Sequence, residues 1–156
     1  SLILGGFETQ LQAVTALALF IPIIGGTGGN VGVQASAIVV QGLANGSRDI
    51  KEFSKQLGKG VLIGLLNATI ISAVIFVYNL IMLPSEFAVT LSVTISLFLV
   101  VMFASILGTV VPLTLEKVHI NPALATGPFI QISNDILGLI IYVGISTWLL
   151  GVFGVN

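Results

Sequence analysis

The sequence predicts an all-α fold, a polytopic helical membrane protein, and three observations carry that prediction. Of the 156 residues, 56% are hydrophobic and 7% charged, against roughly 25% charged in soluble domains. Mean hydropathy is +1.15. Apolar runs recur that are long enough for a membrane span of about 20 residues, and short polar segments holding Pro, Asn and most of the charges separate them. A soluble chain of this composition would expose more contiguous apolar surface than a monomer tolerates.

The elements follow in order. Ser1–Phe7 is short and apolar, lacks the basic start of a signal peptide, and reads as the tail of a helix. Residues 9–46 form the next unit: Thr9–Ile24 is apolar, Gly25, Gly26, Gly28, Gly29 and Gly32 crowd the middle, and Gln34–Ala44 is apolar again. One straight helix here would be about 57 Å long at 1.5 Å per residue, against about 30 Å of hydrocarbon. A tilted helix broken at the glycines is therefore expected, its irregular backbone buried in protein or lining a wet cavity. Asn45–Lys55 reads as a polar loop or short surface helix, with Ser47 as cap and Glu52 nearby. The next spans are 57–83 and 87–115, joined by a turn at Pro84–Glu86. Hydroxyls at 90/94, 92/96 and 105/109 fall at helical spacing; these, with Asn67, Ser72 and Asn79, are expected to bond between helices. Glu116–Pro122 is a polar turn in which Asn121-Pro122 breaks the helix. The last span, 123–153, carries a further interruption at Gly127-Pro128. The sequence shows no β alternation and no internal repeat.

Charge sets the expected orientation. Arg48, Lys51, Lys55 and Lys59 are four of the five cationic residues and share one segment. Short loops rich in Lys and Arg stay cytoplasmic, so the 46–59 loop is expected inside, Pro84–Glu86 outside, Glu116–Asn121 with Lys117 inside, and the C-terminus outside. The implied location is a cell (inner or plasma) membrane. Trp148 suits an interfacial anchor at the outer end. No basic stripe with interleaved aromatics suggests nucleic acid. Absence of cysteine excludes disulfides, thiolate metal sites and cysteine nucleophiles. No Ser–His–Asp set shares a depth, so no enzyme is expected. His119, the sole histidine, reads as a solvated loop residue.

Asp135 is the most informative residue. It lies well inside an apolar run, where an ionised Asp costs roughly 2.5–3.5 kcal/mol at the helix centre. It is either an ion- or proton-path carboxylate or a structural Asp that caps a broken helix or bonds a neighbour. Glu8, Glu86 and Glu116 lie near span ends, and Asp49 and Glu52 lie in the basic loop. One deep carboxylate per chain is thin neutralisation for a divalent cation, and a two-fold homodimer would bring two together. The segment Gly25–Gln34 offers glycines that let carbonyls approach an ion, and Asn30 and Gln34 share a helical face. The same glycines at 25/29 and 28/32 satisfy close helix packing, and both roles coexist. Gly127, Gln131 and Asp135 repeat every four residues, with Asn134 beside the acid. Gly127-Pro128 either opens the helix and exposes a carbonyl or makes a plain proline kink.

The glycine-rich stretch together with Asn121–Leu139 resembles the transmembrane domain of the MgtE family of magnesium channels, related to solute carrier family 41. Pro22–Gly46 is similar to the family's second helix, with its Gly-Gly-Asn core and the ending at Val39–Ala44. Asn121–Asp135 is similar to the start of its fifth helix, with Asn-Pro-Ala where Asp-Pro-Ala is usual. The resemblance implies a five-helix protomer: 1–7 ends a largely missing first helix, 9–46 is a broken second, and 57–83, 87–115 and 123–153 follow. It implies a homodimer with a pore on its axis, Asp135 as the cation-site carboxylate, and pore contacts from Gly26, Gly29 and Asn30 and from backbone near Gly127 and Gln131. Gln34 and Asn134 complete the expected path. The transported ion would be Mg2+, or another divalent such as Mn2+ or Co2+. The family's cytosolic regulatory domains are absent from this sequence. At Val33 some members carry an asparagine facing the ion, and at Gln131 a small residue is usual. Mg2+ prefers near-octahedral oxygen shells and loses water reluctantly; with no thiolate and no deep histidine, Zn2+ and Cu+ are not expected. An ion- or proton-coupled exchanger and a non-transporting membrane scaffold are the alternatives.

Overall fold

The computed structural model describes the backbone of residues 2–46, 50–82 and 87–154, and the side chains of 15–46, 54–82 and 87–154. Four long helices, α1 (Leu2–Ala44), α2 (Ile50–Met82), α3 (Phe87–Lys117) and α4 (Pro128–Val152), are joined with one short 3-10 helix, Pro122–Ala125. No strand occurs among the described residues. Four segments are long and apolar enough to cross a membrane: Thr15–Ala44, Ser54–Met82, Phe87–Lys117 and Pro128–Val152. The chain is a multi-pass integral membrane protein. At 1.5 Å per residue these spans run from about 38 to about 47 Å, so they tilt or project beyond a 30 Å hydrocarbon layer.

Helix α3 is the hub. Helices α1, α2 and α4 all pack on it, α1 also packs along α4, and α1 meets α2 sparsely. The main apolar cluster joins Ile24 of α1 with Val93, Leu97 and Val101 of α3, each fully buried. Near the Lys117 end of α3 a smaller cluster joins Val39 and Leu43 with Leu113. Helix α2 reaches α3 through a stripe at every fourth residue: Gly60, Gly64, Ala68 and Ser72. A methyl group on Gly60 would collide with Thr109, and one on Gly64 would lie 2.6 Å from Ser105 Cβ. The close approach places Ser105 Oγ 2.9 Å from the Gly60 carbonyl, to which it donates.

The break expected at Gly25–Gly32 does not occur. Helix α1 runs unbroken through all five glycines, and residues 2–7 continue it where the end of a separate helix was expected. Each glycine costs a helix about 1 kcal/mol relative to alanine. A continuous helix keeps the backbone of the glycine stretch hydrogen-bonded where no water is available, and the missing side chains at Gly28, Gly29 and Gly32 admit α3 and α4 to close range, whereas Gly25 and Gly26 stand open. Helix α2 starts at Ile50, ahead of the expected 57. The capping role assigned to Ser47 falls outside the described residues.

The hydroxyls do not share one role. Thr94 and Thr109 donate to the carbonyls of Thr90 and Ser105 in their own helix, at 2.8 Å each, because the i−4 carbonyl is the nearest acceptor. Ser105 and the Ser96–Ser146 pair, 3.1 Å apart, do bond between helices. Ser72, Asn79, Thr90 and Ser92 are buried with side-chain polar atoms that have no hydrogen-bond partner, contrary to the expected interhelical role.

Candidate functional site

The site begins where the chain breaks. Gly127 has φ 60° and ψ −130°, a region essentially reserved for glycine, and Pro128 starts α4 with its φ preset and no N–H to satisfy. The preceding turn is held on both sides. Asn121 Oδ1 accepts the Ala123 N–H at 3.0 Å, and buried Ser36 of α1 donates to the Ala125 carbonyl at 2.7 Å. The interruption expected at Gly127-Pro128 is therefore present and anchored to α1. The Gly127 carbonyl accepts the Gln131 N–H at 3.0 Å, so the carbonyl expected to open toward an ion is engaged in the first turn of α4.

Two turns into α4 stands Asp135. Its side chain is half-buried, and its Oδ1 is buried with no hydrogen-bond partner. It lies directly against Gly29: a methyl group there would collide with Oδ1, and would also lie 3.0 Å from Gln131 Cγ. Beside it, Asn134 is 1% exposed, and neither its Oδ1 nor its Nδ2 has a partner. This amide lies against Gly32, where a methyl would strike it. Gly108 of α3 abuts the Gly32 carbonyl from the other side. Gly32 is therefore where three helices meet.

Buried polar groups in folded proteins are normally bonded, and leaving one unpaired costs roughly 1–3 kcal/mol. A carboxylate oxygen and a whole amide are unpaired side by side along the α1–α4 contact. On the adjoining surface, Gly26, Asn30 and Gln34 form an exposed stripe on α1 at four-residue spacing, and Gln131 is exposed on α4. These amides lie within segments long and apolar enough to span. The structure thus brings Gly29, Gln131 and Asp135 together, sets Asn134 beside them, and puts Asn30 and Gln34 on the neighbouring face. Gly26 makes no close contact, since a Cβ there would meet nothing within 4 Å, and Gly127 stands two turns away along α4. No group of three His, Asp or Glu side chains able to hold a metal exists among the described residues. One chain therefore offers a single acid with amides and carbonyls, a set suited to the outer water shell of a hard cation.

Sequence reasoning missed Gly108 and Ser36. The signal for Gly108 was present, as a lone glycine inside the apolar run of α3. Ser36 carried none, because its acceptor lies 89 residues away.

The profile of the MgtE family, described as a divalent cation transporter, matches residues 21–145. The magnesium transporter MgtE of Thermus thermophilus is 36% identical over 155 residues, 96% of this chain and 33% of the relative. That of Bacillus subtilis is 34% identical over 149 residues, 93% of this chain and 32% of the relative. That of Enterococcus faecalis is 27% identical over 157 residues, 97% of this chain and 33% of the relative. The chain spans about a third of the length of the curated relatives it matches.

Proposed function

We propose, from the premise that this chain belongs to the MgtE family of divalent cation transporters, that it carries Mg2+ across the membrane past Asp135, in a path shared by two copies of the chain. The family is one of transporters, not enzymes. The relatives quoted above are named magnesium transporters, which makes Mg2+ the first ion to test.

One observation carries the reading. Asp135 presents a buried, unpartnered carboxylate oxygen to the glycine face of α1, inside a span. An acid at that depth is normally neutralised by a partner or by an ion, and no group among the described residues fills that role for Oδ1. The exposed amides Asn30, Gln34 and Gln131 support the second copy: facing lipid they would be costly, whereas across a two-fold axis they line a polar path and pair two acids. A Mg2+ ion that keeps its water needs acceptors placed for that water, which amides and a carboxylate provide. The membrane potential supplies roughly 2.3 kcal/mol per charge per 100 mV, about twice that for a divalent ion. The basic 46–59 segment favours a cytoplasmic position for that loop, with the C-terminus outside.

The test is Mg2+ uptake by proteoliposomes holding the purified protein, with and without Asp135→Asn. The substitution removes charge and little volume. Uptake should vanish while the dimer survives in size-exclusion light scattering. Unchanged uptake in the variant refutes the role of Asp135. Uptake that requires a proton or Na+ gradient points to a coupled exchanger, and an inert wild-type protein points to a scaffold.

A further inference from the structure

The geometry points to a second site, remote from Asp135. We propose that the groove where α1 and α2 splay apart binds the head group of an anionic phospholipid. The groove encloses about 230 Å3. Its walls are Ile38 and Val39 of α1 and Ile63 of α2, its floor is Ser105 and Thr109 of α3, and Lys55 and Lys59 stand at its rim. The two lysines are exposed and one helical turn apart on α2. Gln56 lies between them, and its Oε1 is buried without a hydrogen-bond donor.

The occupant follows from what the groove leaves unmet. The floor hydroxyls have already spent their protons, on the Gly60 and Ser105 carbonyls. What remains is two cations, acceptor oxygens on Gln56, Ser105 and Thr109, and an apolar wall that continues outward over Ile38 and Leu62, 52% and 57% exposed. A soluble anion would leave the apolar wall uncovered, and a neutral acyl chain would leave the ammonium groups unpaired. A phospholipid with a phosphate and a hydroxyl-bearing head meets all three: phosphate to the lysines, hydroxyl to Gln56, acyl chain along Ile38 and Leu62. Both lysines lie at the end of α2 where its charged residues gather, just ahead of the uncharged run that begins at Gly60, the end that meets the head-group layer. Basic pockets between membrane helices on the cytoplasmic side are the setting in which anionic head groups bind. The inference rests on the membrane placement of α1–α3 and not on cation transport.

The test is native mass spectrometry of the purified protein titrated with phosphatidylglycerol or phosphatidylcholine, for wild type, Lys55→Ala/Lys59→Ala and Lys55→Arg/Lys59→Arg. Wild type should fill one site with phosphatidylglycerol well below the concentration at which phosphatidylcholine binds. In the double alanine variant half-occupancy should need roughly thirtyfold more lipid, each lysine near an anionic surface contributing about fivefold. The arginine pair should retain binding, which separates loss of charge from loss of fold. Equal affinity for the two lipids, or equal phosphatidylglycerol affinity in the alanine variant, overturns the proposal. Complete displacement by millimolar inorganic phosphate also overturns it, in favour of a soluble-anion site.

Discussion

Gly29 and Asp135 stand in direct apposition across the α1–α4 contact, so that a methyl group on the first would collide with the carboxylate Oδ1 of the second. Gly29→Ala must therefore push the acid from its place or separate the helices. Overpacking of this kind costs typically 1–3 kcal/mol. Mg2+ flux through proteoliposomes should fall about tenfold or more, since each ~1.4 kcal/mol at an ion site is a decade. Gly25→Ala is the matched control: a Cβ there meets nothing within 4 Å, and flux and stability should stay near wild type.

Gly108→Ala should be the more damaging change for the fold. The atoms a Cβ would meet at Gly108 are the carbonyl and Cα of Gly32, which are backbone and cannot rotate aside. At Gly32 itself, the nearest obstacle is the Asn134 side chain, which can turn away. Thermal unfolding in detergent, followed by size-exclusion chromatography, should rank Gly108→Ala below Gly32→Ala, and both below wild type. The reverse ranking would mean that the three helices do not meet at Gly32.

Gly127→Ala imposes a Cβ on a backbone with φ 60° and ψ −130°. Strain at such a position is of order 1–3 kcal/mol. The variant should unfold at a lower temperature, and amide hydrogen exchange should rise over 122–131, where the 3-10 turn and the first turn of α4 depend on that geometry.

Side-chain hydrogen bonds at two places tie α1 to the C-terminal part of the chain among the described residues. Ser36 Oγ donates to Ala125 O at 2.7 Å, and Tyr142 Oη donates to Leu17 O at 2.8 Å. Ser36→Ala and Tyr142→Phe should each lower stability by about 0.5–1.5 kcal/mol. Their effects should add within a few tenths of a kcal/mol, because distant sites without shared partners behave independently. Hydrogen exchange locates them: Ser36→Ala should loosen 122–127, and Tyr142→Phe the helix around 138–146.

Much of this architecture was legible from residues alone. Hydropathy located the spans because lipid imposes one composition on anything that crosses it. The Gly127-Pro128 break was legible because proline forbids a helical bond there and glycine permits the turn. Asp135 declared itself through the cost of its charge in an apolar run. The continuity of α1 was not legible. Five glycines serve equally well to end a helix or to let neighbours in, and the deciding residues, Gly108 and Asn134, lie on other helices. The hydroxyls of α3 were ambiguous for a similar reason: a Thr at helical spacing has an acceptor one turn back as well as across the interface. The opposition of Gly29 to Asp135 required the tertiary packing, since no local spacing relates positions 29 and 135.

Helix α2 turns a small-residue edge at Gly60, Gly64, Ala68 and Ser72 toward α3, with Ile71 and Ile75 packed beside it and Asn79 buried, while Leu66, Ile70, Val74, Val77 and Ile81 point outward. Its specification is therefore concentrated on one edge. Most of its circumference answers to solubility in hydrocarbon and to nothing else, so those outer positions can be rewritten with other aliphatic side chains while the small-residue edge cannot. Mutational scanning of this helix should read as a four-beat rhythm of intolerance against a permissive background.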